Sequence, residues 1–130
     1  MKLLIDTQVF IWLINEDKRL GRKTLQKVKD PTNQILLSYF SVFEMTIKAS
    51  VDKLDYDVSV LKDLANMGIE LLFPDVDTLK DYAIFNPDNK DPFDNAIISV
   101  ALYEKCALIT SDPKILALNS LNLNLLNATT

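Results

Sequence analysis

Residues 2–15 read KLLIDTQVFIWLIN, and their reading decides the fold. "KLLID" (2–6) is a short apolar run ended by an acid, the pattern of a strand buried on both faces. "TQVFIWLIN" (7–15) comes next without a break and is long and apolar enough for a buried helix, with Asp6 or Thr7 as its N-cap. A buried strand that feeds straight into a helix is the opening unit of an α/β chain.

The same alternation runs outward from this unit. A basic helix is expected over 19–30, punctuated by Pro31 and Asn33. "QILLS" (34–38) reads as a second strand. "FSVFEMTIKASV" (40–51) is helical by period, with Phe40, Phe43, Ile47 and Val51 sharing one apolar face. "DKLDYD" (52–57) is a turn, and a helix over 58–68 ends at Gly68, a usual residue just past a helix. A strand over 69–73 stops at Pro74, and a helix with early acids is expected over 75–85. A loop (86–91) leads to a helix over 92–105 with Pro92 at its first position. Then come a strand (107–110), a short helix (112–118) and an edge strand (123–126). The Asn/Leu-rich stretch 119–127 suggests nothing further. Strands alternating with helices predict a parallel sheet covered on both faces, in one domain spanning 1–130.

Composition narrows the chemistry. Apolar residues make up 48% of the 130, interrupted by two Gly and five Pro, which is a globular balance. No uncharged run reaches the roughly 18 residues that a membrane span needs, and Asp6 breaks the opening run before it can resemble a leader. A cytoplasmic protein with no membrane association is expected. Cys106, flanked by apolar residues, reads as a buried thiol. Histidine is absent, which excludes imidazole bases, Ser-His-Asp triads and the usual zinc sites. Chemistry is left to carboxylates, hydroxyls, Lys or a hard cation.

The net charge of −4 argues against bulk coating of nucleic acid. The charge is uneven, however. "KRLGRKTLQKVK" (18–29) holds six cations and no acid, which fits either a solvated helix face or a phosphate-contacting patch.

Ligands of open parallel sheets bind beyond the carboxyl ends of the strands. Asp6 ends the first strand, and Asp112 lies just past the fourth. Glu44 is one turn into the helix after the second strand, and Asp94 is in the first turn of the helix that precedes the fourth. Four acids from distant segments can therefore meet at one edge. Each also has a structural use. Asp6, Asp91 and Asp112 are in N-cap positions, the latter two before Pro92 and Pro113. Asp94 gains from the helix dipole. Glu44, at the edge of an apolar face with Lys48 one turn on, is the hardest to explain without a partner. Converging acids repel one another unless a cation intervenes. Oxygen-only ligands favour Mg²⁺ or Mn²⁺, ions suited to phosphodiester hydrolysis.

"LLIDTQVFIWLI" (3–14), "SVFEMTIKASVDKL" (41–54), "DPFDNAIISVAL" (91–102) and "LITSD" (108–112) resemble, in that order and spacing, the PIN-domain proteins, most closely VapC toxins of bacterial toxin–antitoxin pairs. The resemblance implies a three-layer α/β/α sandwich with a mostly parallel sheet of four to five strands. It implies a metal-dependent endoribonuclease in which Asp6, Glu44 and Asp94 hold Mg²⁺ or Mn²⁺ and Asp112 completes the site. Thr110 and Ser111 would orient a ligand or water, and Asp91 would be a cap or a supporting acid. The implied reaction is attack of an activated water on phosphorus, leaving a 5′-phosphate and a 3′-hydroxyl. Implied partners are an RNA substrate, a small antitoxin and a second copy of the chain. Lys18, Arg19, Arg22, Lys23 and Lys48 would contact RNA phosphates. Relatives often carry His at the positions of Gln8 and Asn89, Arg at Asn95 and Gly at Asp52. None of these departures removes an expected metal ligand, but the missing Arg at 95 bears on RNA affinity. The rival expectation is a PIN domain without catalysis that binds RNA or protein. A receiver-type phosphoacceptor fits poorly, because Asp6 stands alone after the first strand.

Overall fold

The computed structural model describes residues 1–84, 87–118 and 122–130. Five strands form one sheet: β1 (Lys2–Ile5), β2 (Gln34–Ser38), β3 (Ile69–Leu72), β4 (Ala107–Thr110) and β5 (Leu125–Asn127). Their order is β3-β2-β1-β4-β5, and every pairing is parallel. The chain builds outward from β1 to one side, then returns to the other side with β4. The order therefore reverses between β1 and β4.

Alternate residues of each strand face opposite layers. Leu3, Ile5, Ile35, Leu37 and Ile109 pack with Val9, Phe10 and Trp12 of α1 (Thr7–Ile14), Val28 of α2 (Arg22–Lys29), and Val42 and Met45 of α3 (Tyr39–Ser50). Leu4, Leu36 and Leu108 pack on the other side with Ile97, Ile98 and Ala101 of α4 (Pro92–Glu104) and Ile115 of α5 (Pro113–Leu116). Two cores, one on each face of the sheet, make the expected α/β/α sandwich, and the edge strand β5 is parallel like the rest. Among the described residues, no helix is long and apolar enough to cross a membrane.

Four expectations are corrected. The basic helix begins at Arg22 rather than at Arg19, because the Asp17 carboxylate closes a turn by accepting from the Arg19 amide and guanidinium. The segment 58–68 forms a 3-10 helix only over Val58–Asp63, succeeded by turns that end at Gly68 (φ +72°). No α-helix forms over 75–84, and Phe85 lies outside the described residues; this stretch is a series of turns with i+3 bonds such as Thr78 N to Asp75 O. The Thr78 carbonyl, which a helix would offer to residue 82, instead accepts from the buried Ser99 hydroxyl of α4 at 2.6 Å. Finally, the Phe43, Ile47 and Val51 face of α3 points outward, while Ser41, Val42, Glu44 and Met45 are buried. Asp52 sits at φ +58°, the left-handed region that favours glycine.

Candidate active site

Because all strands are parallel, β1, β2 and β4 end at one edge, and the helices after them begin there. Ligands of such sheets bind where the strand order reverses. Here that point lies between β1 and β4; Asp6 directly follows the first, and Asp112 lies two residues past the second. Asp6 continues the ladder, with its amide donating to Ile109 O at 3.1 Å. Its carboxylate then turns to the start of α1 and accepts from Val9 N at 2.8 Å. Helix cap and cleft acid are thus one residue, and the two readings of Asp6 do not compete.

Asp6, Glu44, Asp91, Asp94 and Asp112 line one cleft of about 490 Å³, together with Ser111, Thr7, Gln8, Arg19 and Lys48. Thr110 lies just beneath; its buried hydroxyl bonds Asp6 and accepts from Asp112 N at 3.1 Å. A second link joins α1 and α3, where the Thr7 hydroxyl donates to Ser41 Oγ at 2.9 Å.

The acids form one electrostatic group. Burial pushes the Asp6 carboxyl up to about 6; the Thr110 hydroxyl and the Val9 amide lower it in part, while the charges of Asp94 and Glu44 raise it. Burial likewise raises Asp94 to about 6, offset by the Asn89 amide and reinforced by Asp91, Asp112 and Glu44. A divalent cation relieves both the burial of such carboxylates and their mutual repulsion, and an all-carboxylate set suits a hard ion. The donor chemistry therefore fits Mg²⁺ or Mn²⁺. The present rotamers are not gathered round a single point, since no three described acidic or thiol side chains form a metal cage. Each carboxylate is instead held by a protein donor. Asp91 accepts from Phe93 N at 2.9 Å, Asp112 from Lys114 N at 2.8 Å, Asp94 from Asn89 Nδ2 at 3.2 Å, and Glu44 pairs with Lys48 Nζ at 3.0 Å.

Of the five expected phosphate contacts, Arg19 and Lys48 line the cleft; Lys18, Arg22 and Lys23 do not. Arg19 gets there by packing over the Trp12 ring, 5.1 Å from its centroid. Asn95 is buried rather than presented to solvent, and its amide donates to Asn89 O at 3.1 Å, tying the loop that holds Asp94 to α4. Sequence reading missed Trp12 and Thr129 as cleft walls. Thr129 arrives through main-chain bonds from Gly21 N to Ala128 O and from Lys23 N to Thr130 O, contacts that no local pattern announces.

The PIN domain family model matches residues 3–120. Solved structures with the same fold include a chain of VapBC2 from Rickettsia felis bound to a promoter DNA fragment, at TM-score 0.70 and 18% identity over 98% of each chain. A chain of VapBC-1 from nontypeable Haemophilus influenzae matches at 0.69 and 20% identity over 100% of each. A toxin–antitoxin complex from Klebsiella pneumoniae matches at 0.58 and 19% identity, over 88% of this chain and 90% of that one. At such identities the likeness is one of fold. No protein of curated function matches the chain.

Proposed function

From a chain that belongs to the PIN-domain family, we propose a metal-dependent endoribonuclease, acting as the toxin of a VapBC-type pair. The observation that carries this reading is the meeting of acids from four distant segments in one cleft, at the reversal point of the sheet. Asp6, Glu44 and Asp94 would hold Mg²⁺ or Mn²⁺, with Asp112 completing the set and Asp91, Thr110 and Ser111 supporting it. A divalent cation there would supply the charge that activates water and offsets the negative charge developing on a phosphodiester.

The chain's own groups do the rest. Caps and hydroxyls fix the direction of Asp6 and Asp112. Arg19 and Lys48 give the acidic cleft two cations at which an RNA backbone can dock. Lys18, Arg22 and Lys23, exposed on the neighbouring loop and α2, serve its approach. The likeness in fold to chains of VapBC complexes supports a small antitoxin as partner. Action as a cytoplasmic homodimer, with the whole chain as one domain, belongs to the same reading.

The test is Mn²⁺ binding by calorimetry and cleavage of a mixed RNA pool, for wild type and Asp94→Asn, with folding checked by circular dichroism. Wild type should bind Mn²⁺ and cut RNA in an EDTA-sensitive way, and the folded variant should do neither measurably. A wild type that binds RNA yet neither binds Mn²⁺ nor cuts would make the chain a non-catalytic PIN domain that binds RNA or protein.

A further inference from the structure

We propose that Lys48 is a placeholder cation: its ammonium neutralises Glu44 while the cleft lacks a divalent ion, yields that carboxylate when the ion arrives, and thereby sets the metal affinity. The inference rests on the reading of the cleft as a cation site and adds a role for a residue that would not be a ligand.

The five acids are held in different ways. Asp6, Asp91 and Asp112 accept main-chain amides at the starts of their own helices, bonds that the fold itself fixes. Asp94 accepts from a neutral amide, that of Asn89. Glu44 alone among them, within the described residues, is held by a full positive charge, 3.0 Å away and one helical turn along α3. Its own side chain is only 11% exposed, whereas that of Lys48 is 45% exposed. The carboxylate is therefore fixed in the cleft, while the ammonium reaches it from the rim on a flexible four-carbon stem.

The other cation lining the cleft, Arg19, cannot take this part. Its guanidinium is bound to Asp17 by bonds of 2.7–3.2 Å and lies over Trp12. Lys48 has no such second commitment among the described residues. Two positive species that need the same oxygen of Glu44 compete for it. The bound ammonium stabilises a cleft crowded with negative charge but opposes entry of the ion. Once displaced, it stays at the rim, beside the path of an incoming phosphate.

The test compares wild type with Lys48→Met, which keeps the stem and removes the charge, by Mn²⁺ calorimetry and by thermal melts with and without Mn²⁺. Lys48→Gln is the second variant, so that the comparison survives if one protein does not fold. The placeholder role predicts Mn²⁺ binding tighter by roughly three- to fivefold, as fits the loss of one partly exposed ion pair. It also predicts a lower melting temperature without metal and a larger Mn²⁺-induced rise. A merely structural Lys48 would lower both melting temperatures and leave the affinity unchanged. Affinity in the variants equal to or weaker than wild type overturns the placeholder role and leaves the cation site standing. Loss of Mn²⁺ binding from wild type and variants alike overturns both.

Discussion

The Thr7 hydroxyl donates to Ser41 Oγ at 2.9 Å, and both residues are buried, Ser41 completely. This bond joins the first turns of α1 and α3, one residue from Asp6 and three from Glu44. It ties together two segments whose acids share the cleft although they lie 38 positions apart in the chain. Serine at 41 is thus more than a small residue in a tight place.

Ser41→Ala removes this link and leaves the Thr7 hydroxyl buried without its acceptor. A neutral hydrogen bond lost in this way costs about 1–3 kcal/mol. Urea denaturation should show that loss with an unchanged slope, and Mn²⁺ binding should weaken as the spacing of Asp6 and Glu44 loosens. Unchanged stability would mean that the two hydroxyls find other partners and do not clamp the helices.

The pH dependence of stability is set by Asp6 and Asp94, both raised from 3.8 to about 6. A carboxyl with a higher pKa folded than unfolded holds its proton more tightly in the native state. Its contribution is complete below the unfolded value and is lost as pH rises through the folded one. The metal-free protein should therefore be more stable near pH 5 than near pH 7.5. Asp17, Asp30, Asp57 and Asp75 have lowered values and act in the opposite sense, in more acidic solution. Asp6→Asn should flatten the curve. Asn is an equally good N-cap and keeps an oxygen for Val9 N, yet carries no charge to bury. The gain near pH 7.5 is at most about 3 kcal/mol, the size of a shift of about two pKa units. A variant that is more stable and no longer binds Mn²⁺ would identify Asp6 as a residue kept at the expense of the fold. Equal denaturation midpoints for the two proteins near pH 7.5 would contradict it.

How much of this was legible in the sequence differs by element. The strand–acid–helix run at 2–15 carried its meaning locally, because a buried strand of a parallel sheet is apolar throughout and the residue after it must cap the next helix. The convergence of Asp6, Glu44, Asp94 and Asp112 was legible only through topology, once every strand was taken to run the same way. Helix α3 misled because it is apolar on two sides: Val42 and Met45 face the core, while Phe43 and Ile47 lie outside. Periodicity detects a stripe without saying which stripe is covered. The stretch 75–84 misled because its helical pattern yields to α4, where Ser99 and Tyr103 bind the Thr78 carbonyl and the Asp75 carboxylate. The placing of Thr129 at the cleft depended on a contact between residues more than a hundred positions apart, for which no local signal exists.

That contact gives the last prediction. Gly21 has an ordinary backbone, φ −68° and ψ 155°, so glycine is not needed there for its conformational freedom. It is needed for space. A Cβ at this position would overlap Thr130 C and O and lie 2.5 Å from Thr129 C, main-chain atoms that no side-chain rotation can move aside. Gly21→Ala must therefore push the 128–130 segment away. It would break the bonds from Gly21 N to Ala128 O and from Lys23 N and Thr24 N to Thr130 O. Such overpacking costs about 1–3 kcal/mol. Hydrogen exchange should show the amides at 21, 23 and 24 losing protection together, while the amides of β1 and β4 keep theirs at any denaturant concentration below the main transition. Mn²⁺ affinity should change little, because none of the cleft acids sits on the displaced segment. Full protection at 23 and 24 in a stable Gly21→Ala protein would show that the segment does not pack on Gly21 in solution, and the cleft would then lack the wall that Thr129 gives it.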